Sequence, residues 1–239
     1  MFFGGREPLL INDTHKHEFT KHLPITHEAN IRAYLGVPIF YNNGNMYGTL
    51  CAIDSKISNF TKKDIEILQK FSNLFTYVIE LEKKVHYDSL TELYSRNYLY
   101  DNFNYISDKG TLMLLDLDGF KEVNDVHGHH VGDKVLKEVG KRIKEFLDAD
   151  SLGVRLGGDE FVILIPNLQD DLEIEYKANR ILGVLSDWKN FDINISASIG
   201  IIKFPYYDEI SLENLLKKAD NAMYQAKVKG ENCFHAFSE

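Results

Sequence analysis

Cysteine is scarce in this sequence, whose 239 residues include only Cys51 and Cys233. Two cysteines so far apart do not form the disulfide framework that stabilises small secreted domains. The pair suits a reducing compartment, and we expect both thiols to lie in the core as small apolar side chains.

Long hydrophobic runs are also missing. No apolar stretch approaches the roughly 20 residues that a membrane-spanning helix needs. The first residues, MFFGGREPLLIND, lack the basic leader of a targeting segment. We therefore expect a cytoplasmic protein with no membrane partner.

The sequence has no excess of basic residues. Its net charge is −9 and its isoelectric point is near 5.5, which argues against a protein that binds a nucleic-acid polymer through its phosphates. Its 44% hydrophobic content, with 12% aromatic residues, is ample for one large or two small cores. A nucleotide would have to be bound locally, through metal ions or a few side chains.

The first third of the sequence predicts a hairpin followed by a long helix. Residues 29–54 contain two strand-like stretches joined by the turn signal NNGN. Thr61 and Asp64 form a variant of the capping box, which indicates a helix start. The apolar residues Leu68, Phe71, Phe75 and Val78 then follow at helical spacing. This stripe could pack on the hairpin or pair with a second copy of itself.

From Tyr87 onward, strand-like and helix-like segments alternate. Strands are indicated at 111–116, 151–156, 161–166, 193–204 and 233–237, and helices at 121–128, 133–147, 171–188 and 211–227. Two of the strands are adjacent in the middle of this order. The pattern predicts an α+β domain with a mixed sheet flanked by helices.

Acidic residues stand where the first of these strands ends. Asp116 closes an apolar run, and the segment DLDGF leads into a helix. Free backbone N–H groups at Gly119 and Phe120 could hold phosphate oxygens there. The alternative is that the segment is no more than a capped turn.

The segment RLGGDEF, residues 155–161, joins two apolar strands and carries Asp159 and Glu160 at its tip. If both strands pair in one sheet with the strand that ends at Asp116, three carboxylates meet. Each like-charge pair at about 4 Å would cost roughly 4 kcal/mol at an effective dielectric near 20. Mg²⁺ or Mn²⁺, which prefer oxygen ligands and are often shared with phosphates, would relieve that repulsion. Gly157 and Gly158 permit a tight turn and leave room for a bulky ligand.

These segments resemble the blocks of the GGDEF domain family, the diguanylate cyclases. The resemblance rests on RLGGDEF together with YDSLTELYSRNYL, DLDGFKEVNDVHGHHVGD, SIGI and ADNAMYQAKVKGEN, in the family's order over about 150 residues. It implies a nucleotide-cyclase-like fold and an enzyme that joins two GTP molecules into cyclic di-GMP with release of pyrophosphate. It also implies a homodimer, in which each domain presents one GTP.

The resemblance implies a role for individual residues. Asp116, the carbonyl of Leu117, Asp159 and Glu160 would ligate the metal ions, and Glu160 could instead act as the base for the 3′-hydroxyl. Asn124 and Asp133 would bind guanine, whose N1–H and N2 amine are donors. Without the family, Asn124 could equally bond a helix end and Asp133 could be a helix N-cap. The remaining substrate contacts implied are Gly119, Phe120, Lys121, Gly158 and Lys227.

The sequence departs from the family pattern at a few positions. Glu231 stands where the family usually has Arg or Lys, Glu92 where Gly is usual, and Ser95 where Asn is usual, while Arg96 is retained. A second hypothesis is therefore a regulatory module that binds GTP with little or no turnover. Asp148 and Ser151 replace the Arg-x-x-Asp of the family's inhibitory site, so we expect no product inhibition there.

Residues before 81 resemble the second half of a GAF domain, a sensory module, through IRAYLGVPI, GTLCAID and FTKKDIEILQKFSNLFTYVIE. We predict a partial GAF-like α/β segment at 1–80 with an unknown small ligand, a helical linker at 81–88 and a GGDEF domain at 89–239. The histidines His15, His17, His22 and His27 are irregularly spaced, and we expect them in a solvated loop.

Overall fold

The computed structural model describes residues 5–106, 108–188, 193–205 and 211–238. The chain divides into two compact units, residues 1–83 and 84–239. None of the helices in the described part is both long enough and apolar enough to cross a membrane.

A three-stranded antiparallel sheet organises the first unit. Its elements are β1 (Leu9–Ile11), α1 (Pro24–Glu28), β2 (Ala33–Phe40) and β3 (Met46–Asp54), and the strand order is β1-β2-β3. The β2–β3 turn is closed by a hydrogen bond from Tyr41 N to Asn45 O (2.8 Å), and Gly44 adopts a φ of +82°. The predicted hairpin is therefore confirmed.

A 25-residue helix, α2 (Lys62–His86), follows this sheet. Asp64 accepts a hydrogen bond from Thr61 N at 2.7 Å, which is half of the predicted capping box. The Thr61 hydroxyl donates to the same carboxylate instead of accepting from the Asp64 N–H. The helix contacts the hairpin through small polar side chains, because Ser72 Oγ donates to Pro38 O (2.7 Å) and Thr76 Oγ1 to Phe40 O (3.0 Å).

The apolar residues of α2 mostly face solvent. Of the predicted stripe, Leu68 is half-buried, whereas Phe71, Phe75 and Val78 are exposed. The full set of exposed residues spaced alternately by four and three is Ile67, Phe71, Leu74, Val78, Leu81 and Val85. This is the heptad spacing of a coiled-coil seam, with Val at two of the a positions and Leu at two of the d positions. Packing on the hairpin thus uses a different face of α2 and leaves this seam uncovered.

Two expectations about individual side chains were wrong. Cys51 is exposed and Cys233 is only half-buried, so neither lies in the core. His15 and His17 are half-buried, and each has a ring nitrogen that is buried without a hydrogen-bond partner. His22 and His27 are exposed as expected, but His27 lies in α1, so the solvated loop describes only His22.

The second unit contains a six-stranded sheet. Its elements are β4 (Tyr94–Ser95), α3 (Arg96–Ile106), β5 (Gly110–Asp118), α4 (Phe120–His127), α5 (His129–Phe146), β6 (Leu152–Gly157), β7 (Glu160–Pro166), α6 (Asp171–Ser186), β8 (Ser196–Phe204), α7 (Leu212–Val228) and β9 (Phe234–Ala236). The strand order is β4-β6-β7-β5-β8-β9. The outer pairs β4–β6 and β8–β9 are parallel and the inner pairs antiparallel, so the predicted α+β mixed sheet is confirmed.

Helices cover both faces of this sheet. Alternation along β5 sends Leu112 and Leu114 to the face covered by α3 and α7, and sends Met113, Leu115 and Leu117 to the face covered by α4, α5 and α6. Asp116 shares the first face, where α7 contacts it. The two sides of the sheet at the end of β5 therefore differ: Asp116 and α7 lie on one side, and α4, α5 and α6 lie on the other.

Candidate active site

The β6–β7 hairpin brings the predicted acidic residues to the end of β5. Asp116 in β5 lies directly opposite Glu160 in β7 in the antiparallel register. The neighbouring residue Asp159 lies at the hairpin tip, where its carbonyl accepts a hydrogen bond from Leu117 N at 3.3 Å. The segment of two glycines and two acids is thus a turn that places carboxylates beside the end of the central strand.

The electrostatics of this cluster favour a cation. Burial raises the pKa of Asp116; the Lys227 hydrogen bond opposes the rise, and the charges of Asp159 and Asp118 add to it. Burial, followed by the charges of Asp116, Asp159 and Asp220, raises the pKa of Glu160. Two carboxyl groups with raised pKa values indicate negative charge that the protein leaves incompletely compensated.

Lys227 from α7 provides part of the compensation. Its Nζ lies 2.6 Å from Asp116 Oδ1, and the Asp116 side chain is only 15% exposed. Burial lowers the pKa of Lys227, but the hydrogen bond and the charges of Asp116, Asp118 and Asp159 raise it by more. In the ligand-free chain, Lys227, the predicted phosphate-binding lysine, is therefore hydrogen-bonded to Asp116, a predicted metal ligand.

The donor set fits a hard divalent cation. Asp116, Asp159, Glu160 and the Leu117 carbonyl supply only oxygen atoms, as Mg²⁺ and Mn²⁺ prefer. Among the described residues, however, no three acidic, histidine or cysteine side chains are arranged to hold a metal ion without a ligand present. A divalent cation at this position therefore stays a prediction.

The turn after β5 exposes backbone donors. Gly119, at φ +77°, is the N-cap of α4, and no side chain caps this helix start. Phe120 is buried in the core, whereas Lys121 is exposed in the first helical turn. The first N–H groups of α4 therefore remain available to an anion beside the acidic cluster.

Asn124 and Asp133 lie on α4 and α5, which pack against each other. The contact is close: a Cβ on Gly132 would lie only 2.0 Å from Asn124 Oδ1, so the Asn124 amide lies against the start of α5 next to Asp133. Asp133 is exposed and lies inside α5, whose N-cap is Gly128, so it is not a helix N-cap. Asn124 thus lies against the residue that precedes Asp133 on α5.

An ion pair that sequence reasoning missed fixes the hairpin tip. Arg155 donates to the carbonyl of Gly158 from Nε (3.1 Å) and Nη2 (2.8 Å), and from Nη1 to both carboxylate oxygens of Asp88 at 3.1 and 3.2 Å. Gly158 has a φ of +51°, which L side chains rarely adopt, and a Cβ there would meet no atom within 4 Å. The turn is therefore both held in place and open to a ligand.

Asp118 is the second residue that sequence reasoning missed. Its buried carboxylate accepts hydrogen bonds from Ser196 Oγ (2.7 Å), Ser198 Oγ (2.7 Å) and the backbone N of Asn232 (3.1 Å). It thereby ties the end of β5 to β8 and to the segment before β9. The carboxylate of Asp118 therefore holds neighbouring strands in position through these hydrogen bonds, whereas Asp116 is a predicted metal ligand.

The residues that depart from the family pattern affect the structure locally. Glu92 adopts a φ of +56°, which explains why glycine is usual there, and it pairs with Lys144 at 3.0 Å. Ser95 Oγ accepts from Tyr98 N at 3.2 Å at the start of α3. Glu231 is exposed at a φ of +61°, and Lys229 Nζ lies 3.0 Å from His235 Nδ1. Lys229 thus contacts the imidazole of His235.

The position of the family's inhibitory site is acidic here. Asp148 pairs with Lys177 at 2.7 Å, and Asp148, Asp150, Ser151 and Glu173 help to line a shallow cavity of about 250 Å³. Carboxylates in place of arginine do not favour a phosphate.

Comparison with known proteins places the chain in a family. Residues 85–233 match the model of the diguanylate cyclase GGDEF domain, and residues 3–79 match that of the GAF domain. The structure is similar to that of the coiled coil and GGDEF domain of DgcB from Caulobacter crescentus, with a TM-score of 0.65 and 24% identity over 72% of this chain and 95% of that one. At that identity, the likeness concerns the fold.

Curated relatives extend the likeness. The chain is 31% identical over 215 residues to the uncharacterized protein YtrP of Bacillus subtilis, covering 86% of this chain and 36% of YtrP. It is 30% identical over 222 residues to the diguanylate cyclase DgcP of Escherichia coli, covering 82% of this chain and 64% of DgcP. The chain thus spans only about a third to two thirds of the length of these relatives. With the family model matching more than half of its residues, the chain belongs to the diguanylate cyclase GGDEF-domain family.

Proposed function

We propose that this protein is a diguanylate cyclase, which condenses two GTP molecules into cyclic di-GMP and releases pyrophosphate. The observation that carries the proposal is the register of β5 and β7, which sets Asp116 opposite Glu160 with Asp159 at the adjoining tip. A family member that lacked this juxtaposition could not direct divalent cations to a triphosphate.

The chain's own residues would bind and align the first GTP. Asn124 and Asp133 would accept hydrogen bonds from guanine N1–H and the N2 amine, and the uncapped start of α4 at Gly119 and Phe120 would hold phosphate oxygens. Lys121 and Lys227 would neutralise the terminal phosphates. For that role, Lys227 has to leave Asp116, which frees a carboxylate oxygen for a cation.

Mg²⁺ or Mn²⁺ held by Asp116, the Leu117 carbonyl, Asp159 and Glu160 would polarise the α-phosphate and stabilise the entering and leaving oxygens. Where Glu160 does not bind the metal ion, it would instead accept the proton of the attacking 3′-hydroxyl. Gly158 leaves the approach to the phosphates open. The protein would also align the two nucleotides. Because alignment removes the entropic cost of bringing them together, it would raise the reaction rate by several orders of magnitude.

The reaction requires a homodimer, because each domain presents one GTP. The exposed seam of α2, with Leu74 and Leu81 at d positions and Val78 and Val85 at a positions, supports a two-stranded parallel pairing of this helix. Such pairing would raise the local concentration of one GGDEF domain around the other.

Glu231 supports a second candidate, a regulatory module that binds GTP with little turnover. A carboxylate about 5 Å from a phosphate would cost roughly 3 kcal/mol, on the order of a hundredfold in affinity. Glu231 is exposed, however, so solvent screens it and it can turn away from the phosphates. We therefore retain the active cyclase as the main proposal.

Product analysis separates the two candidates. The purified protein is incubated with GTP and Mg²⁺, and the nucleotides are resolved by mass spectrometry. We expect cyclic di-GMP and pyrophosphate from the unmodified protein and neither from Asp159→Asn. Bound but unconverted GTP, with Glu231→Arg restoring product, would identify the regulatory module instead.

A further inference from the structure

Gly132, near the start of α5, is a glycine that the helix backbone does not need. It is buried inside the helix, and its φ is not one of the positive values that favour glycine. Glycine inside a helix is less favourable than alanine, because it loses more conformational freedom on folding. The reason for Gly132 therefore lies in the space that its missing Cβ leaves free.

The Asn124 side chain fills that space. A Cβ on Gly132 would lie 2.0 Å from Asn124 Oδ1 and 3.0 Å from Asn124 Cγ, and the next atom is Phe120 Cζ at 3.3 Å. All three neighbours are side-chain atoms. Gly200 is different, because the atom nearest to a Cβ there is the backbone oxygen of Ala219, where α7 packs on β8. Gly132 thus makes room for one side chain, whereas Gly200 allows two backbones to approach.

The orientation of the Asn124 amide depends on this packing. The backbone carbonyl of Asn124 accepts a hydrogen bond from Gly128 N at 2.9 Å, at the end of α4. The side-chain amide forms no hydrogen bond with any residue that the structure describes, and it is partly exposed. Its oxygen and nitrogen are therefore available to a ligand, while the surface of α5 at Gly132 limits where they lie.

We infer that Gly132 is a positioning residue for guanine recognition, because its bare Cα lets the Asn124 amide lie where it can accept from the base. This inference rests on the proposed function, in which Asn124 and Asp133 bind guanine. Atoms in van der Waals contact lie about 3.5 Å apart, so a methyl group at position 132 would push the amide oxygen away by about 1 Å or more. A hydrogen bond of about 2.9 Å that is stretched this far is lost.

The experiment measures binding of 3′-deoxy-GTP, which lacks the attacking hydroxyl, to the full chain with Mg²⁺ by calorimetry. Gly132→Ala should weaken binding about tenfold, as expected for the loss of one hydrogen bond. Asn124→Ala should weaken it by a similar factor. When Gly132→Ala is added to Asn124→Ala, the affinity should change by less than about twofold, because the amide that the methyl group displaces is already absent.

Gly183→Ala is the matched control. Gly183 also lies inside a helix, α6, but a Cβ there would meet no atom within 4 Å. This variant should bind 3′-deoxy-GTP as the unmodified protein does, and its melting temperature should rise by about 2–4 °C. Gly132→Ala gains the same helix propensity, so its loss of affinity should occur without a comparable loss of stability.

Unchanged binding of 3′-deoxy-GTP by Gly132→Ala would overturn the inference, and so would equal weakening in the presence and in the absence of the Asn124 amide. If Gly132→Ala folds poorly, the double variant decides. We expect the double variant to melt as Asn124→Ala does, whereas equally poor folding would show that the methyl group clashes with other parts of α4 and would overturn the inference.

The same measurements separate this inference from the proposed function. If Asn124→Ala weakens 3′-deoxy-GTP and Gly132→Ala does not, only the role of Gly132 fails. If the unmodified protein binds no 3′-deoxy-GTP and makes no cyclic di-GMP, the proposed function fails, and the inference fails with it.

Discussion

Lys227 Nζ and Asp116 Oδ1 lie 2.6 Å apart, so a cation from α7 already occupies the carboxylate that we propose as a metal ligand. The ammonium group and a divalent ion would compete for the same oxygen. Binding of metal and triphosphate would therefore move Lys227 from Asp116 to the phosphates.

Replacement of Lys227 by Met should separate these two roles. Without the ammonium, Asp116 is left beside Asp159 and Glu160, and we expect a loss of about 1 kcal/mol in the free energy of unfolding. Added Mg²⁺ should raise the melting temperature of this variant more than that of the unmodified protein, because nothing competes for Asp116. Its cyclase rate should fall at least about tenfold through the lost phosphate contact. A melting temperature equally insensitive to Mg²⁺ in both proteins would contradict the competition.

Replacement of Asp118 should affect folding more than chemistry. Asp118→Ala leaves Ser196, Ser198 and the Asn232 N–H without their acceptor in a buried place, and should cost about 3 kcal/mol in urea unfolding. Asp116→Ala serves as the control, since it should abolish activity at a smaller cost in stability. A stable Asp118→Ala protein would show that these bonds do not hold the end of β5.

The pair of Asp88 and Arg155 predicts a dependence of stability on pH. Burial raises the pKa of Asp88, but hydrogen bonds from Thr91 and Arg155 lower it by more, so the folded value lies below the ordinary one. This carboxylate therefore contributes stability above about pH 4, its unfolded pKa, and that contribution is lost as the pH falls through the lowered folded value.

The contribution of the Asp88 carboxylate is measured by urea unfolding of the unmodified protein and of Asp88→Asn between about pH 6 and pH 3. The difference in stability between the two proteins should be greatest at the upper end and should shrink as the pH falls. A difference in stability that stays constant with pH would contradict the proposed role of Asp88.

Arg155→Lys should lower the cyclase rate, because lysine cannot donate to Asp88 and to the Gly158 carbonyl at once.

The seam of α2 predicts a dimer that charge can break. Leu74→Glu combined with Leu81→Glu places carboxylates at two successive d positions, and we expect dissociation to monomers in analytical ultracentrifugation. Asn73→Glu, an exposed position away from the seam, should leave the dimer intact. The cyclase rate per chain of the double variant should fall at low concentration and recover partly at high concentration. A dimer that survives both glutamates would mean that another surface holds the two chains.

The contact between α4 and α5 predicts base selectivity. Asp133→Ala removes an acceptor for guanine N1–H and N2, while Asn124 still lies beside it. We expect the preference for GTP over inosine triphosphate, which lacks the N2 amine, to shrink by about tenfold in kcat/KM. An unchanged preference would exclude Asp133 from guanine recognition.

Local patterns in the sequence accounted for much of this fold. The apolar runs on either side of RLGGDEF are short and adjacent, so they indicated a hairpin, and the meeting of the acids depended on its pairing with the strand that ends at Asp116. The α3 helix was not predicted, because its buried residues Leu99 and Phe103 stand among polar and tyrosine residues that hide the period.

Other features depended on tertiary contacts that no local pattern reveals. The face of α2 that contacts the hairpin contains Ser72 and Thr76, whose hydroxyls donate to strand carbonyls, so the apolar stripe did not reveal which face packs on the hairpin. Asp118 acts through Ser196 and Ser198, two polar residues on one face of a strand that is otherwise apolar up to Lys203. That alternation was the one available signal for a buried acceptor nearby.

The rate of cyclic di-GMP formation at different protein concentrations tests the central claim most directly. With saturating GTP and Mg²⁺, the rate should rise with the square of protein concentration where centrifugation shows monomers, and linearly once dimers predominate. Asp159→Asn should give no product at any concentration. A rate that is strictly linear throughout the monomeric range, or an Asp159→Asn variant as active as the unmodified protein, would contradict a metal-dependent cyclase formed by two chains.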